Sequence, residues 1–100
     1  MSNLNNESDL VKEKVIRTIA IRTSNQNVVR IANELCEEID ASYENETDLL
    51  NSGSVDGFVR QAIAIKAKHL QRKLDGMFSW CMSAATVKAM TEFVKIAKAV

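Results

Sequence analysis

The chain has 100 residues, 46% of them hydrophobic and 26% charged, with 13 basic and 13 acidic side chains and a formal net charge of zero. That is the size of one domain and a globular balance, which excludes wholesale disorder and an array of domains. The zero conceals a polarity: residues 1–53 sum to −5 and residues 54–100 to +5.

Proline is absent and glycine occurs only at 53, 57 and 76. Hairpin-linked sheets need more turn chemistry than that, so the sequence predicts an all-α fold, a small helical bundle of about four helices with a long third helix. A chain this short buries only about 60 to 65% of its unfolded surface, so a second copy is a natural supplement and a homodimer is expected. Cys36 and Cys81 lie far apart in apolar helical context and read as buried, reduced thiols of a cytoplasmic protein. The opening residues Met1–Asp9 carry neither the basic nor the apolar region of a secretory signal, and no stretch approaches the roughly 18 apolar residues of a membrane span. The expectation is a soluble cytoplasmic protein without membrane contact.

Residues 1–7 are polar and Asn-rich and are predicted to be a flexible tail, leaving 8–100 as a single helical domain. A first helix is expected after a cap at Asn6 or Ser8, running to about Arg22, with Val11, Val15 and Ile19 on its inner face. The β-branched residues Val15, Ile16, Thr18, Ile19, Ile21 and Thr23 make a strand the alternative. Ser24 is the expected cap of a second helix, whose apolar face is Val28, Ile31, Ala32, Leu35, Cys36 and Ile39, ending near Ala41 or Tyr43. Glu44–Gly57 reads as the main loop, with one short turn around Thr47–Leu50.

The third helix is predicted to start near Ser54 or Asp56. Ile63, Leu70 and Met77 are seven apart, as are Ala67, Leu74 and Cys81, and this repeat runs through Gly76 without a change of phase. It predicts a continuous helix of about 28 residues, roughly 40 Å long at about 1.5 Å per residue, whose length a second subunit would cover. Val87, Met90, Val94 and Ala97 form a rotated stripe, which places a bend near Ser83–Thr86 and a fourth helix after it.

Met77, Phe78, Trp80, Cys81 and Met82 form a segment apolar on nearly every side, either the centre of the core, a dimer core included, or a partner interface. Arg60, Lys66, Lys68, His69, Arg72 and Lys73 carry no acid among them and, on a helical wheel, Lys66, Lys68, His69, Arg72 and Lys73 lie away from the apolar stripe as an exposed basic face. Phosphate contact with nucleic acid is one reading of that face, but Phe58 is its only nearby aromatic, so a solvated face or an acidic partner is favoured. Glu34, Glu37, Glu38, Asp40, Glu44, Glu46 and Asp48 form the acidic counterpart, read as a solvated face, with nucleic-acid mimicry by a phage-type inhibitor or docking on a basic partner as the alternatives.

Neither a bundle-type metal motif nor a calcium loop is present, since His69 has Lys66 three residues before it and Asn45–Asp48 lacks alternating oxygen ligands. No cofactor or metal is expected. Val28–Cys36 faintly echoes the first helix of a helix-turn-helix, but Glu37–Asp40 carries the wrong charge for a major groove. No nucleophile elbow, phosphate loop or Cys/His neighbour pair supports catalysis. The expected function is therefore protein–protein interaction by a non-enzymatic adaptor, inhibitor or accessory factor. Association with nucleic acid through residues 60–73 is the alternative. Neighbouring antiparallel second and third helices would let the opposed charges neutralise each other, within the fold or across a dimer.

Overall fold

The first helix, α1, spans Asn3–Arg22 in a computed structural model that describes residues 3–45, 54–76 and 80–100. It begins upstream of the Asn6 or Ser8 start read from the sequence, so residues 3–7 are helical where a tail was expected. Val11, Val15 and Ile19 are fully buried, and the inner stripe outweighs the strand preference of the β-branched residues. Thr18 fits the helix because its hydroxyl donates to the Lys14 carbonyl at 2.7 Å. Ser8 is buried inside α1 rather than capping it.

Three residues separate α1 from α2, Gln26–Asn45. Asn25, not Ser24, starts α2: its Oδ1 accepts from the Asn27 amide at 2.9 Å and its carbonyl from the Val28 and Val29 amides. Val28, Ile31, Ala32, Leu35, Cys36 and Ile39 are all buried. The helix runs unbroken through Glu37–Asp40, which removes the echo of a helix-turn-helix. The turn expected around Thr47–Leu50 lies outside the described residues.

The third helix, α3, spans Val55–Asp75, with the Ser54 hydroxyl accepting from the Gly57 amide at its start. Its 21 residues span about 31 Å, inside the 45 Å long dimension of the molecule. The predicted continuity through Gly76 fails. Gly76 takes φ −83 and ψ 178, turning the chain out of the helix, while its amide still donates to the Arg72 carbonyl. Glycine is a poor helix former, and a Cβ there would stand 3.1 Å from the Arg72 carbonyl oxygen. The seven-residue repeat therefore crosses a helix end, and the length argument for a second subunit lapses.

The final helix, α4, spans Ala84–Ala99, capped by Ser83, whose Oγ accepts from the Thr86 amide. Met90 and Val94 are buried as predicted, but Val87 and Ala97 are half-buried and the stripe centres on Phe93 with Ala89 and Ile96. Phe93 is the largest fully buried side chain described.

The architecture is a four-helix bundle with no strand among the described residues. α3 packs most extensively on α4 and α1 on α2; α2–α4 and α1–α3 are the next closest pairs, and α2–α3 and α1–α4 touch least. The acidic α2 and the basic α3 are therefore diagonal rather than adjacent, and among the described residues the predicted neutralisation between them is confined to the Lys66–Glu38 pair. Among the described residues no helix is long and apolar enough to cross a membrane.

Candidate functional site

Trp80, Cys81 and Met82, which lead into α4 at a corner of the bundle, are the described part of the apolar segment. Met77 and Phe78 lie outside the described residues. Trp80 is 80% exposed and Cys81 is also exposed, while Met82 is half-buried against the core. Trp80 and Cys81 thus stand outside the core of the single chain, so of the core reading only its dimer form remains for them. Once α3 ends at Asp75, the helical phase that tied Cys81 to Ala67 and Leu74 no longer applies.

Behind this corner lies a groove of about 410 Å³ where α2, the end of α3 and the start of α4 converge. Ile31, Leu70, Met82, Ala89 and Met90 supply its apolar lining, and Arg30, Glu34 and Lys73 its charges. Arg30 is held by a 3.0 Å bond to Asn27 Oδ1. Two methionines beside small and branched apolar residues make a surface that re-packs around different side chains. The mixed charges bring donors and acceptors of both signs within reach of a bound chain.

The basic face divides. Arg60, Lys68, His69, Arg72 and Lys73 are exposed, but Lys66 is buried and its Nζ donates to Glu38 Oε1 at 2.8 Å. The wheel placed Lys66 on the outside; its side chain is instead buried, with the ammonium reaching Glu38 on α2. Phe58 is half-buried against the core and offers no open stacking platform.

The acidic face divides too. Glu34 and Glu37 are exposed and join none of the ion pairs among the described residues. Asp40 accepts from the Ser8 hydroxyl at 2.6 Å and pairs with Lys12 at 3.0 Å. The Ser8 hydrogen bond first, and then Lys12, hold its carboxyl below the usual carboxylate range. Lys12 is raised in turn, by Asp40 foremost and then Asp9. Asp40 therefore fastens α1 to α2. Asp56, lowered chiefly by its hydrogen bond from Lys14, ties α3 to α1 at 2.6 Å.

Two features escaped the sequence reading. The Thr23 hydroxyl donates to Glu92 Oε1 and the Asn25 side-chain Nδ2 to Glu92 Oε2, so the α1–α2 turn is pinned to α4. Burial raises the Cys36 thiol, which donates to the Lys12 carbonyl, so it is a poor nucleophile. Nothing local in the sequence signals contacts 67 and 69 residues apart.

Among the described residues no cluster of His, Cys, Asp and Glu could hold a metal ion. The chain matches no protein-family model. No match to it was found among the curated proteins or the solved structures.

Proposed function

We propose that this is a soluble, cytoplasmic helical protein that acts by protein–protein contact, as an adaptor, inhibitor or accessory factor rather than an enzyme. Its contact surface is the Trp80–Met82 corner with the groove behind it. The observation that carries the reading is the 80% exposure of the chain's only tryptophan. An indole left in water forgoes the burial that aromatic side chains usually gain, and tryptophan is the residue most enriched at interface hot spots. A homodimer is one form of this contact, supported by the exposed corner alone now that α3 is short.

Sedimentation at micromolar concentrations, with and without Trp80→Ala, tests the reading, together with crosslinking and mass spectrometry from the native host. A dimer that Trp80→Ala converts to the 11.1 kDa monomer identifies the partner as a second copy. A monomer whose crosslinked partner is lost in Trp80→Ala identifies a different protein. If the substitution changes neither assembly nor capture, the corner is not the contact surface.

Nucleic-acid binding is the second reading, favoured by exposed Arg60, Lys68, Arg72 and Lys73, none of which forms an ion pair among the described residues. It predicts binding that falls steeply between about 50 and 200 mM salt. No binding to duplex or single strands at low salt would remove it.

A further inference from the structure

A second groove, of about 460 Å³, runs between α3 and α4 away from the Trp80 corner. Ala64, Ala67, Val94 and Ala97 line it with apolar surface, and Lys68, Arg72 and Lys98 line it with positive charge; among the described residues no acid lines it. None of the three cations joins an ion pair among the described residues. Ala67 and Val94 are buried, whereas Ala64, Lys68, Arg72 and Lys98 are exposed. The small lining residues let another backbone come close, and the charges around them are of one sign.

We propose that this groove binds an acidic amphipathic helix of a partner protein. The occupant follows from charge complementarity: an apolar helical stripe seats on the alanines and Val94, and carboxylates flanking that stripe reach Lys68, Arg72 and Lys98. Arg72 gives a planar, bidentate match to a carboxylate. The exposed acids of α2 do not fit, since Glu34 and Glu37 share their outer surface with Arg30, Asn33 and Ala41 and offer no large apolar side chain for the groove. Nucleic acid would use the cations but not the apolar lining. The surface is separate from the Trp80 corner, so the protein would hold two partners at once.

The test uses two fluorescein-labelled synthetic helices with the same leucine stripe, one flanked by glutamates and one by lysines, and follows their anisotropy against the full chain. The glutamate helix is expected to bind at least tenfold tighter than the lysine helix. Arg72→Glu should reverse that preference. Ala64→Trp, at an exposed position, should block the groove and abolish binding with the helical circular dichroism unchanged. Trp80→Ala should leave binding intact. Equal binding of the two helices overturns the proposal, as does full binding to Ala64→Trp or loss of binding in Trp80→Ala. A short duplex DNA that binds wild type and Ala64→Trp alike, and displaces the glutamate helix from both, overturns it in favour of phosphate contact.

Discussion

Lys66 Nζ and Glu38 Oε1 stand 2.8 Å apart, the one ion pair among the described residues that joins the acidic α2 to the basic α3 across the diagonal of the bundle. The two ends differ: the Lys66 side chain is 7% exposed and that of Glu38 57%. Removing the carboxylate leaves an ammonium whose stem is held inside the bundle. Removing the ammonium leaves a carboxylate that water can solvate. Glu38→Ala is therefore expected to cost about 1 to 3 kcal/mol, less than the full loss for a pair buried at both ends. Lys66→Met, which keeps the stem's volume, should stay within about 1 kcal/mol of wild type. Urea denaturation of both variants checks this; equal losses would refute the asymmetry.

Asp40 links α1 to α2 and sets an acid limb of stability. Its folded value lies below its unfolded one, so its contribution is present above the unfolded carboxylate value of about 3.9 and disappears as pH falls through the folded value. Lys12 is raised, so its contribution holds below about 10.4 and is lost at higher pH. Asp40→Asn should cost about 1 kcal/mol at neutral pH and flatten the decline below about pH 4. Thermal melts across pH give the comparison, and an unchanged acid slope in Asp40→Asn counts against this assignment.

Glu92 holds the α1–α2 turn by two side-chain bonds, from Thr23 and Asn25. Glu92→Ala leaves two half-buried donors without their acceptor and is expected to cost about 1 to 3 kcal/mol. Faster hydrogen exchange at Val28 and Val29, whose amides bond the Asn25 carbonyl, would locate the effect. Unchanged exchange there would mean that the turn holds without Glu92.

Phe93 is fully buried whereas Val87 is half-buried on the same helix. Phe93→Ala is expected to cost about 3 to 5 kcal/mol, a large share of the roughly 5 to 15 kcal/mol of a domain. Val87→Ala should cost less than about 1.5 kcal/mol. Comparable losses in urea would show that the core does not centre on Phe93.

The inner faces of α1 and α2 were legible residue by residue, because a helix buried along one stripe repeats every 3.6 residues. The α3 stripe was legible as far as Leu70. Beyond it the repeat misled, since Met77 and Cys81 kept the spacing while Gly76 ended the helix that gave the spacing its meaning. The α3 start was legible to within two residues, at Ser54 or Asp56, and the α4 start near Ser83 from the rotated apolar stripe. At Asn25 the cap lay one residue from Ser24, and both residue types serve. Of the candidate site, the unusual apolar run around Trp80 stood out in sequence, but the exposure of Trp80 and Cys81 did not, since composition alone does not tell a core from a surface.

The amino-acid sequence by itself determined the helical class, the stripes that face inward and the division of charge between the two halves. These are properties of each segment and its own periodicity. Only the tertiary structure decided that α2 and α3 lie diagonally, that Lys66 is inside and Trp80 outside, and that Asp40 and Glu92 fasten helices together. A stripe tells which side of a helix turns inward, whereas packing decides which helix it meets. The charge division therefore survives as two largely separate surfaces instead of cancelling between neighbours.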